Sequence, residues 1–149
     1  ELRDQITRVT DLVNDIRSLR RQLAVRSELW KGEPKAANLV SEAQALTVKL
    51  DTLEARVHNP RAEVVYDILA QRGGAKVYSR LAPLYTSVIE ADGAPTQGMR
   101  EVYATIRKDL DAVDGEFKSL VTGDLAALNR SARDLNLGDV MVPGAAPGR

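Results

Sequence analysis

The sequence predicts an all-α fold, an antiparallel bundle of three long helices plus two short helices, and three observations carry it. First, apolar residues recur at alternating three- and four-residue steps in three stretches. Each set therefore lies on one helical stripe, which must be buried against another. Second, glycine and proline cluster between those stripes, at Gly32 and Pro34, at Pro60, and at Gly93 and Pro95. Third, 149 residues with only six aromatic side chains suit one domain with a core of Leu, Val, Ile and Ala.

The first stripe reads Leu2, Ile6, Val9, Val13, Ile16, Leu19 and Leu23, so the first helix is expected from about residue 2 to Trp30. Gly32 and Pro34 stop it and start the next, because Gly suits the position past a helix end and Pro the first turn. A turn as short as Lys31 to Lys35 makes helices one and two antiparallel neighbours. The second stripe, Ala36, Leu39, Ala43, Leu46, Leu50, Leu53 and Val57, carries helix two from about Pro34 to His58. Asn59 then serves as an N-cap, with Pro60 at the first helical position and Glu63 in the acid-favouring first turn.

A short helix from Pro60 to about Arg72 ends at Gly73-Gly74, and a second begins near Ala75 with Val77, Leu81, Leu84 and Val88 on one face. Pro83 lies inside that run and removes one backbone donor, which predicts a bend near Ser79. Thr96 is the expected N-cap of the last helix, Gln97 to Leu137, with Gly138 past its end. Its stripe is Met99, Val102, Ile106, Leu110, Val113, Phe117 and Leu120, drifting to Val121, Leu125, Leu128 and Leu135. Gly115 and Gly123 each weaken this helix by roughly 1 kcal/mol, so Thr122-Gly123-Asp124 is the expected place for an irregularity. The resulting organisation is a helical bundle domain over 1–137 and a flexible C-terminal tail over 138–149.

Lys plus Arg balance Asp plus Glu at 21 each, which gives no basis for general attraction to nucleic acid or an anionic membrane. No apolar run approaches the ~20 residues a membrane-spanning helix needs. The absence of cysteine excludes disulfides and thiolate metal sites. The chain opens in helical register at Glu1-Leu2-Arg3-Asp4 without an initiator Met, and the expectation is a piece of a longer parent.

Candidate chemistry is sparse. His58 is the single histidine and sits at a helix C-terminus, where the dipole favours a cation, so capping is expected rather than catalysis. Glu63 with Asp67, and Asp111 with Asp114, each share a helix face, yet acids on one exposed face do not form the two-sided cleft a glycosidase uses. Arg17, Arg20, Arg21 and Arg26 form a basic stretch without interleaved aromatics. The expectation is an intramolecular charge match to Asp109, Asp111, Asp114 and Glu116. Gly73-Gly74 and the Gly93 to Gly98 loop lack the strand and GxxxxGK context of a phosphate cradle and read as turns. No catalytic residue, cofactor or metal is expected. The candidate interface residues are Trp30, otherwise a core cap at the end of helix one, and Tyr66, Tyr78 and Tyr85, gathered within twenty residues beside glycine loops.

Several segments resemble a known family. Asn59-Pro60, Glu63-Val64-Val65-Tyr66-Asp67-Ile68-Leu69-Ala70, Gly73-Gly74-Ala75-Lys76, Tyr78-Ser79 and Leu81-Ala82-Pro83-Leu84-Tyr85 are similar to a segment near the C-terminus of bacterial sortilin-like β-propeller proteins with Asp-box (BNR) repeats, often labelled glycosyl hydrolases. Asp92-Gly93-Ala94-Pro95-Thr96-Gln97-Gly98-Met99-Arg100-Glu101-Val102-Tyr103 resembles that family's next signature. Ile16-Arg17-Ser18-Leu19-Arg20-Arg21-Gln22-Leu23 resembles the helix after the last propeller strand. The resemblance implies a helical appendix to an exported parent, in the periplasm or outside the cell. The propeller and its Ser-x-Asp-x-Gly-x-Thr-Trp boxes lie outside these residues, so no site residue carries over. The expected function is a non-catalytic accessory or interaction domain that meets the propeller. The alternative is a coiled-coil-like homo-oligomerisation module that meets a second copy.

Overall fold

A computed structural model describes residues 1–59 and 74–142. They are all-α, a helical bundle with no strand among the described residues. The helices are α1 (Leu2–Trp30), α2 (Ala37–Val57), α3 (Val77–Ile89), α4 (Gln97–Leu120) and α5 (Ala126–Asp134). A 3-10 turn, Pro34–Ala36, precedes α2, and a π-turn, Val121–Leu125, joins α4 to α5. The expected short helix from Pro60 to Arg72 lies outside the described residues, apart from its terminating Gly74.

The expected last long helix is thus divided, and the π-turn falls on Thr122-Gly123-Asp124 as the glycine predicts. Thr122 Oγ1 bonds back to the Lys118 carbonyl at 2.9 Å, a competing bond of the kind that distorts helices. The helical run ends at Asp134 rather than Leu137. Asn136 takes the left-handed conformation (φ 58°), and the amides of Asn136 and Leu137 bond back to Arg133 and Ala132, each at 2.8 Å. This is a Schellman cap in which Asn takes the place usually filled by Gly, so Gly138 is not the cap residue. α3 continues through Pro83.

The chain divides into two compact units: unit 1 is Glu1–Val13 with Leu53–Gly115, and unit 2 is Asn14–Thr52 with Glu116–Arg149. The stripe residues Leu46, Leu50, Ile106, Leu110, Val113 and Phe117 are all buried.

Unit 1 has a core of Val9, Leu12, Leu53, Val57, Leu81, Ile106, Leu110 and Val113. Within it, the start of α1 runs parallel to α4. Glu1 meets Tyr103 and Arg107, and one stretch further along Arg8 meets Asp111 and Asp114. α3 returns antiparallel to α4, held by Arg80 Nη1 on Asp109 Oδ2 at 2.8 Å. The stripe of α4 is one residue out of the expected phase at its start, because Tyr103 is half-buried whereas Val102 is 46% exposed. Met99, Tyr103, Ile106, Leu110 and Val113 keep the four-three alternation that faces the core.

Unit 2 contains the α1–α2 hairpin and α5, with Ile16, Leu19, Leu23, Leu39, Leu50, Leu125 and Leu128 buried. Arg20 Nε lies 2.7 Å from Asp51 on α2, and Lys49 Nζ lies 2.5 Å from Asp124 in the π-turn. Gly138–Val142, expected to begin a flexible tail, is docked: Val140 is buried and two side-chain amides hold its backbone and that of Met141. Residues 143–149 of that tail lie outside the described residues.

Candidate functional site

Of the four candidate interface residues, three are described. Trp30 is 2% exposed. The ring is therefore a core cap at the end of α1 and offers no surface to a partner, which removes it from the candidates. Tyr66 lies outside the described residues. Tyr78 is 41% exposed, with its ring 6.3 Å from that of His58 and tilted by 48°. Tyr85, seven residues along α3 and so on nearly the same face, is half-buried. His58 follows the last turn of α2 and donates its backbone amide to the Glu54 carbonyl at 2.8 Å. Its Nδ1 is buried without a partner among the described residues, and the imidazole lies beside the Tyr78 ring.

Tyr85 opens onto a cleft of about 430 Å³ in unit 1. Leu2 of α1, Leu84, Val88 and Ile89 of α3, Pro95 of the connecting loop, and Met99 and Tyr103 of α4 line it together with Glu1, Arg3 and Arg100. Each wall follows from local sequence. Thr96 caps α4 through its hydroxyl, which accepts from the Met99 amide at 3.3 Å. After the loop the first turn of α4 lies beside the last turn of α3, and Met99 and Ile89 line one space. Ile89, beside this apolar cleft, is 61% exposed.

The polar groups are few and placed at the cleft's edges. The Tyr103 hydroxyl donates to Glu1 Oε1 at 3.3 Å. Burial pushes the Tyr103 phenol above its ordinary value, and the Glu1 carboxylate adds to the shift. The ring is thus held protonated as a donor. Arg3 and Arg100 are exposed and hold no ion pair among the described residues. An apolar hollow with a few convergent polar groups is the usual form of a binding site. Of its lining, sequence reasoning named Tyr85 alone as a site residue. Tyr103 was legible as the four-step neighbour of Met99, but Arg3 and Arg100 carry no pattern that separates them from other surface arginines.

Asp111 and Asp114 share one cation. Arg8 Nη1 reaches Asp111 at 2.5 Å and Nη2 reaches Asp114 at 2.7 Å. The hydrogen bonds to Asp114 and then Asp111 raise the Arg8 pKa further above its ordinary value, against the effect of burial. Arg8 and Arg80 hold acids of α4, and Arg20 Nε reaches Asp51. Glu63 and Asp67 lie outside the described residues. Among the described residues no group of three or more His, Asp or Glu side chains is placed to hold a metal ion, and no helix is long and apolar enough to cross a membrane.

The described residues thus form a helical bundle, and an apolar hollow lies at the α3–α4 corner of unit 1. Comparison with known proteins finds no matching family, no significantly similar curated protein and no significantly similar solved structure.

Proposed function

We propose that this chain is a non-catalytic helical interaction domain that docks through the α3–α4 corner of unit 1 onto the β-propeller of an exported parent protein. The cleft carries the reading. It leaves Ile89 61% exposed beside Tyr85, Met99 and Pro95, where a partner would bury apolar surface now in water. Aromatic rings with polar tips and a Gly/Pro loop beside them are the usual materials of such a contact. The resemblance of residues 59–85 and 92–103 to the region that follows a sortilin-like propeller supplies the partner, and the same resemblance supports a place outside the cytoplasm. Arg3 and Arg100 fit an acidic residue beside the apolar one that fills the hollow.

The test is a calorimetric titration of this chain against the separately produced propeller of the parent. Binding that Ile89→Asp weakens at least tenfold, while Val102→Asp leaves it unchanged, is the expected result. No binding by the unaltered chain, or equal loss from both substitutions, overturns the proposal.

A second reading, self-association, has its own observation. Val25 and Leu29 lie four residues apart on α1 and are 62% and 64% exposed. A sedimentation mass that rises with concentration and returns to one chain in Leu29→Glu supports it, and a constant mass removes it.

A further inference from the structure

The segment after α5 is held in unit 2 as a peptide ligand is held. The Schellman cap at Asn136 turns the chain back along α5, and the next residues run past two carboxamides. Asn129 satisfies both backbone groups of Val140: its Nδ2 donates to the Val140 carbonyl at 2.8 Å and its Oδ1 accepts from the Val140 amide at 2.9 Å. Gln22, on α1, does the same for Met141, accepting from its amide at 2.8 Å and donating to its carbonyl at 3.3 Å. These two carboxamides supply to consecutive residues the bonds that a neighbouring strand would supply, which is the logic of β-augmentation. The side chains are read selectively. Val140 is 1% exposed, whereas Met141 is 64% exposed. Asp139 accepts from Arg133 Nη1 at 2.6 Å, and Gly138 lies against the Arg26 guanidinium, which a Cβ at that position would displace.

We propose that Gln22, Asn129 and Arg133, with the socket that takes Val140, form a binding site for an extended peptide in which an acidic residue precedes a β-branched one. The chain's own Gly138–Val142 segment is the resident ligand, and it closes the site to any other segment of that pattern. A terminal segment that merely covered apolar surface would need only Val140. Here four consecutive residues are engaged, three through groups that specify an extended backbone or a carboxylate. Asn129 is itself buried, so its carboxamide is costly to hold there unless both of its ends are used. A tethered ligand enjoys an effective concentration in the millimolar range, so a free peptide competes only when the tail is weakened.

The experiment uses the full chain. Val140→Asp puts a carboxylate into the socket and expels the tail without altering a residue of the site. Adding the peptide Leu-Gly-Asp-Val-Met-Val should then shift the side-chain amide resonances of Gln22 and Asn129. It should bind the variant at least tenfold more tightly than the unaltered chain, and the same peptide with Asp for Val should not bind. Absence of binding by a helical variant, or equal binding of both peptides, overturns the proposal. Loss of helix in Val140→Asp also overturns it, since the tail is then part of the core. Hydrogen exchange on the unaltered chain gives an independent answer. The Val140 and Met141 amides should exchange at least tenfold faster than those of Leu128 and Ala132, through local release of the tail, and equal rates count against a ligand.

Discussion

Leu110→Ala tests the phase of α4, on which the position of the cleft depends. Leu110 is fully buried in unit 1, at 0% exposure, on the same stripe as Ile106 and Val113. The substitution removes three carbons, worth about 2.4 kcal/mol at ~0.8 kcal/mol per buried methylene. The void they leave adds to this, and measured Leu→Ala costs in cores run from about 2 to 5 kcal/mol. Arg8 of α1 and Arg80 of α3 tie those helices to α4 through Asp111 and Asp109, which limits collapse and favours the upper half of that range. Denaturant unfolding followed by circular dichroism should show a lower midpoint with an unchanged slope. Val102→Ala, one stripe away and exposed, should stay within about 0.5 kcal/mol of the unaltered chain. A Leu110→Ala cost below about 1 kcal/mol, or a larger cost at Val102, refutes the packing described here.

Arg8→Met should cost about 1 kcal/mol at low salt, because its two ion pairs are partly exposed, and the difference from the unaltered chain should shrink in 1 M salt. Asn136→Ala should destabilise by about 1 kcal/mol, since Ala has no polar side chain to support the left-handed conformation, while Asn136→Gly should be neutral or stabilising. Tyr103 should ionise above the ordinary tyrosine value of about 10. Its folded form favours the protonated phenol, so its contribution is complete below that value and is lost as pH rises through the raised one. In a spectrophotometric titration this raised transition should disappear in Tyr103→Phe.

The elements were largely legible because their boundaries are written in single residues. α1 ends at Trp30 before Gly32, α4 begins at Gln97 behind Thr96, and the π-turn falls on Gly123. The end of α5 was misread because Asn136 tolerates the conformation assigned to Gly138. Apolar periodicity also fails where one residue satisfies a stripe as well as its neighbour. Val102 and Tyr103 are both apolar enough, and only packing separates them. The docked tail was illegible for a different reason. Gln22 and Asn129 are polar side chains on helices, normally solvated, and their carboxamides gain meaning only when an extended backbone lies across them. The cleft shares that limit, since Leu2, Ile89 and Met99 come from three helices and no local pattern links them.

The central claim is that the α3–α4 corner of unit 1 is the docking face. Its most direct test compares amide hydrogen exchange in this chain alone with exchange in the presence of the proposed β-propeller partner. The account predicts slower exchange across Leu84–Ile89 and Met99–Tyr103 with the partner, reversed by Ile89→Asp, with the α1–α2 hairpin of unit 2 unchanged. Identical exchange at that corner in both settings, or protection confined to Val25 and Leu29, contradicts it.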